Sequence, residues 1–108
     1  MDNASIEEIF EGLGPVSIRR MFGGKGIYYQ ELIIAIDLRG EIVLKADKTS
    51  GPAFAAAGAT QWAYEGKKGK PVLMPYWSIP DSALDDPDEL KKWVVMAFEA
   101  ALRISRDS

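Results

Sequence analysis

Residues 86–102, D-P-D-E-L-K-K-W-V-V-M-A-F-E-A-A-L, carry their own helix start signal. Asp86 can cap, Pro87 fits the first helical position, and Glu89 follows three residues after the cap. Leu90, Trp93, Val94, Ala97, Phe98, Ala101 and Leu102 then keep one apolar face over about three and a half turns. Glu99 and Arg103 stand at i, i+4 on the other side, spaced to pair. Val95, Met96 and Ala100 lie off the main stripe. They either widen the buried face or form an exposed patch for a partner or a second copy of the chain. A helix with a single apolar stripe must bury it against another element, and the rest of the chain supplies strands.

Residues 3–13 read as a short helix, with Ile6, Ile9, Phe10 and Leu13 on one face. Asn3 or Ser5 can cap it, and Ser5 with Glu8 has capping-box spacing. Val16 to Phe22 reads as a strand that continues past the glycines to Tyr29, either bent or as a second short strand. Leu32–Leu38 and Glu41–Ala46 follow. Gln30-Glu31 and Arg39-Gly40 separate these runs at hairpin spacing. Thr49 or Ser50, Pro52 and Gly58 bound a short helix. Gln61–Glu65 and Pro71–Ile79 make a second hairpin, joined by G-K-K-G-K. The order α-β-β-β-α-β-β-α predicts an α+β fold: one antiparallel sheet with helices packed on one face.

At 108 residues the chain is expected to form one domain, 1–108. With neither Cys nor His, disulfides, thiolate metal sites and the usual neutral-pH general base are excluded. No cofactor or metal is expected, and the chain is read as a non-enzyme. The acidic start M-D-N-A-S-I-E-E lacks the pattern of a signal peptide. The longest apolar run, Leu32–Ile36, is too short to span a bilayer. A soluble, cytoplasmic protein without a membrane partner is the expectation. Net charge is −3, so any nucleic-acid contact must come from a local patch.

One stretch looks like such a patch: S-I-R-R-M-F-G-G-K-G, residues 17–26. Alternation along a strand puts Ile18, Arg20 and Phe22 on one face and Ser17, Arg19 and Met21 on the other. If helices cover the Ile18 face, Arg20 points inward and needs an internal partner, while Arg19 meets solvent. Gly23, Gly24 and Gly26 match neither phosphate-loop pattern. Their reading is a sharp bend or a close approach to another strand. Arg20, Phe22, Gly23 and Gly24 are therefore a structural motif. Lys67, Lys68 and Lys70 sit at a hairpin tip, where lysines also discourage edge pairing. Together with Arg19 and Lys25 they are the candidate partner-binding residues. The acids at 81–89 lack Ca²⁺-loop spacing and suit a helix N-terminus.

These segments taken together resemble a known family. V-S-I-R-R-M-F-G-G-K-G-I-Y-Y, E-I-V-L-K-A-D, W-A-Y, P-V-L-M-P-Y-W-S-I-P-D and L-D-D-P-D-E-L-K-K-W resemble the N-terminal domain of the TfoX/Sxy family, from about Ile6 to Ala101. The resemblance implies the same α-β-β-β-α-β-β-α order, similar in layout to small secretion-chaperone-like domains. Its best-known members regulate competence genes in bacteria, act with the cyclic-AMP receptor protein at promoters, and carry a second, C-terminal domain. It carries over neither catalytic residues nor a cofactor. The expectation is a stand-alone, non-catalytic regulatory module that acts through a protein partner in transcription. Direct nucleic-acid binding through Arg19, Lys25, Lys67, Lys68 and Lys70 is the alternative.

Overall fold

In the computed structural model, which describes residues 1–21 and 23–107, six strands form one antiparallel sheet. The chain runs α1 (Asn3–Ile9), β1 (Ser17–Met21), β2 (Gly24–Tyr29), β3 (Leu32–Leu38), β4 (Glu41–Lys45), α2 (Gly51–Ala56), β5 (Gln61–Glu65), β6 (Pro71–Ser78) and α3 (Pro87–Asp107). The strand order is β1-β2-β3-β4-β6-β5. Residues 17–29 are two strands and not one bent strand. Gly23 turns the chain with φ +79°, and Arg20 then faces Lys25 across the β1–β2 pair.

The β2–β3 and β3–β4 connections are two-residue turns with positive φ at both positions. These are Gln30 (48°) and Glu31 (68°), then Arg39 (57°) and Gly40 (104°). Such turns match the natural twist of a hairpin. Only the second has glycine to ease the conformation, and Asp37 Oδ1 secures that one by accepting the Gly40 N–H at 2.7 Å.

The helices lie on one face of the sheet. Ile6 and Phe10 from the first helical segment, Ile27, Ile34, Ala35 and Leu44 from the sheet, Phe54 from α2, and Trp93, Val94, Ala97 and Ala101 from α3 form the main core. Phe54 packs between Trp93 and Trp77, with ring centroids 4.7 and 6.2 Å away. Small residues let α3 sit close on β3 and β4, and Ala100 is buried with the others. Met96 packs against the same core, so residues beside the stripe widen the buried face.

Two caps differ from expectation. Asp2, not Asn3 or Ser5, caps α1: its Oδ1 accepts the Ser5 N–H at 2.8 Å, and the helix that starts at Asn3 ends at Ile9, short of the expected residue 13. At α2, Ser50 holds the cap position but Asp47 takes the N–H groups of Thr49 and Ser50. The cap of α3 is Asp86, which accepts from Asp88 and Glu89. Arg103 does not pair with Glu99. It turns to Asp47, which offers both oxygens at the sheet edge of the helix.

Candidate functional site

The glycine-rich turn between β1 and β2 lies at one end of the sheet. A Cβ on Gly24 would collide with the Asp37 carbonyl oxygen, so the β2 backbone can approach β3 only with glycine there. Gly26 leaves a bare spot that Met21, Tyr28 and Ile33 fill from the side opposite the helices. Phe22 lies outside the described residues.

The two arginines of the motif part as alternation requires. Ile18 packs on the helix-side core and Met21 on the opposite face. Arg19, on the Met21 face, stacks over the Tyr28 ring at 4.5 Å. Arg20 shares the Ile18 face but is exposed, and its side chain makes no hydrogen bond or ion pair among the described residues. The inward tie expected of Arg20 therefore does not form. Ile18 takes the place under the helices, and Arg20 reaches solvent at the end of an edge strand.

Lys25 also lies on the helix side. Its Nζ donates to the Met1 carbonyl and to Asn3 Oδ1, both at 2.8 Å. Lys67, Lys68 and Lys70 are exposed at the β5–β6 turn, on the other edge strand pair. That turn is closed by the Gly66 N–H donating to the Lys70 carbonyl at 2.7 Å. The five candidate cations thus do not form one patch: Arg19 and Lys25 occupy opposite faces, and the three lysines cap a separate hairpin.

The sheet face away from the helices carries a second apolar cluster. Ile36, Val43 and Tyr76 are buried there, with Met21, Ile33, Leu38, Trp62 and Met74 packed around them. A concavity of about 400 Å³ opens among these side chains. Met21 of β1 and Trp62 of β5 both line it, so the sheet curls until its two edge strands flank one hollow. Arg39 stands at its rim, its guanidinium lying over Gly23.

Lys45 borders this face. Its Nζ donates to the Tyr76 hydroxyl at 2.9 Å and lies 4.5 Å from the ring centroid. Burial lowers the Lys45 pKa from its ordinary value. Burial, with the neighbouring Tyr28 phenol, pushes Tyr76 up to about 12. The pair sets a hydrogen-bonded amine and phenol on an apolar wall. Among the described residues no cluster of acidic side chains could hold a metal ion.

Three features escape a reading of the sequence: Arg39 at the rim, the Lys45–Tyr76 pair, and the second apolar face itself. The signal for the last was present. Leu32–Ile36 is an unbroken apolar run, and a strand with one wet face alternates instead.

A family model described as the TfoX N-terminal domain matches residues 8–101. The chain belongs to this family. The match spans the glycine turn, the curled sheet and most of α3, and it suggests a competence-related regulatory module. Among curated proteins, none matches the chain. No described helix is long and apolar enough to cross a membrane.

Proposed function

We propose that this protein is a non-catalytic regulatory module of the bacterial cytoplasm, which controls transcription by docking on a protein partner through its β5–β6 hairpin. The observation that supports this reading is the composition of the hairpin surface. Tyr64, Val72 and Leu73 are three of the few large apolar side chains left exposed, with Leu73 at 65%. Lys67, Lys68 and Lys70 project from the turn beside them. Tyr64 and Val72 pair on one face of the hairpin and Leu73 points to the other, so a partner that clasps the hairpin meets apolar side chains on both faces and the lysines at its tip, which suits a surface with apolar walls and acidic groups beyond them. β5 is also an edge strand, with a free row of backbone groups for pairing.

A photo-crosslinking side chain at position 73 tests the reading, with one at Glu7 as the control. The expected adduct is with a component of the transcription apparatus. It forms at position 73 and not at position 7, and it weakens with salt and in a K67E/K68E/K70E variant. Adducts equal at both positions, or none at position 73, would refute the docking. Binding to duplex DNA without a partner would favour the nucleic-acid alternative. In that case log affinity falls with log salt at a slope of about −0.9 per phosphate neutralised.

A further inference from the structure

The apolar concavity does not stand alone. A second, polar hollow of about 510 Å³ adjoins it, and the two share Met21, Gly23, Gly24 and Arg39 as common walls. Arg20, Lys25 and Asp37 line the polar part. Asp37 is buried and already engaged by the Gly40 N–H and the Met1 amine. Lys25 is held by Met1 and Asn3. The side chains of Arg20 and Arg39 have no hydrogen bond or ion pair among the described residues. Two unpartnered guanidiniums therefore flank the glycine turn: Arg39 at the mouth of the apolar chamber, and Arg20 in the polar hollow that adjoins it.

The geometry points to a binding site for a small organic anion with an apolar body. The body lies among Ile33, Ile36, Leu38, Trp62 and Tyr76, and the anionic head is held by Arg39 and Arg20. Three observations carry this. The chamber falls in the range of about 300–1,000 Å³ usual for small-molecule sites, and it is apolar with few polar groups, as such sites are. A side chain at Gly23 would point at the Arg39 guanidinium, so glycine there leaves the head-group position clear. Guanidinium is the side chain best matched to a planar or tetrahedral oxyanion. A small ligand suits the chamber better than a peptide does, because the curled edge strands bound it on both sides. Carboxylate and phosphate heads share this chemistry. The site is separate from the Lys67–Lys70 turn, so its test does not depend on the proposed partner.

Titration of the full chain with anilinonaphthalene sulfonate, itself an apolar-bodied anion, reads the site by fluorescence. Saturable binding of one probe per chain is expected. Decanoate or decyl phosphate should displace the probe, and the stronger of the two identifies the preferred head group. Neutral decanol should displace it at least tenfold more weakly. The R20Q/R39N variant should bind at least tenfold more weakly, the loss expected from two charge-assisted contacts. Asn is chosen at position 39 because it tolerates the positive φ there. A Met74→Trp variant should also lose the probe by filling the chamber. Unchanged urea denaturation of R20Q/R39N separates lost binding from lost folding. Equal displacement by decanol, or undiminished binding by a folded R20Q/R39N variant, would overturn the assignment. So would binding of an acidic, apolar peptide with no displacement by either small anion.

Discussion

Arg103, near the end of α3, grips Asp47, just after β4, through two hydrogen bonds. Nε donates to Oδ2 at 2.6 Å and a terminal nitrogen donates to Oδ1 at 3.0 Å. Asp47 also accepts the N–H groups of Thr49 and Ser50. One carboxylate thus ties the end of β4, the start of α2 and the end of the long helix. The Arg103 hydrogen bonds and the Ser50 contacts hold the Asp47 carboxyl well below the usual carboxylate range.

Removing this tie should destabilise the protein in a pH-dependent way. Arg103→Met should cost about 1 kcal/mol, since the guanidinium is partly exposed. Asp47→Asn should cost about 2 kcal/mol, because backbone donors lose a charged acceptor as well. The folded-state pKa of Asp47 is depressed, so its contribution is complete above the unfolded value of 3.8. It is lost as pH falls from there toward the folded value. Urea denaturation across that range should show the Asp47→Asn deficit shrinking in acid. A deficit constant from pH 7 to pH 2 would contradict the assignment.

The two faces of β3 should respond differently to truncation. Ile34 is fully buried under the helices, whereas Ile36 lines the open chamber. Ile34→Ala should cost about 3 kcal/mol and Ile36→Ala about half that, because the atoms removed from Ile36 already border empty space. Denaturant midpoints decide the matter; equal losses would mean that the chamber is closed in solution.

Glycines two residues apart in β2 should also differ. Gly24→Ala drives a methyl group into the Asp37 carbonyl, which the paired strands cannot move aside, and should cost at least about 2 kcal/mol. At Gly26 the nearest atoms are the Met21 sulfur at 2.9 Å and the Tyr28 ring at 3.0 Å. Met21 can swing away, so Gly26→Ala should cost less than about 1 kcal/mol. Thermal denaturation of the two variants side by side tests the ranking.

How much of this was legible in the sequence follows from the range of each interaction. The α3 start, Asp86-Pro87 with Glu89, and its stripe are local patterns, and they place the helix correctly. Alternation alone put Ile18 and Met21 on opposite faces. Arg20 was misplaced because alternation gives a face but not how far along the strand the helices reach. Arg103 was assigned to Glu99, four residues away, when its partner lies 56 residues away. No local rule reports such a partner. The chamber depends on sheet curl, which brings Met21 and Trp62 to one hollow from opposite edges. Curl is a property of all six strands together. The unbroken run Leu32–Ile36 hinted only that both faces of β3 needed cover.

Tyr76 gives a spectroscopic handle on the open face. The chain has four tyrosines, of which Tyr76 is buried on this face. Burial, then the nearby Tyr28 phenol, raises Tyr76 from 10.0 to about 12. The unfolded chain loses this proton near pH 10, before the folded chain does. The stabilisation is therefore complete below pH 10 and is lost as pH rises through about 12. Absorbance titration of the phenols should show a delayed ionisation in the native protein that is absent in Tyr76→Phe. The variant should also lose less stability than the wild type between pH 10 and 12. A ligand seated in the chamber excludes further water from this hydroxyl, so saturating anilinonaphthalene sulfonate should delay the Tyr76 ionisation further. The same probe should leave the titration of Tyr76→Phe unchanged. A Tyr76 transition that ignores a bound probe would place the probe away from this wall.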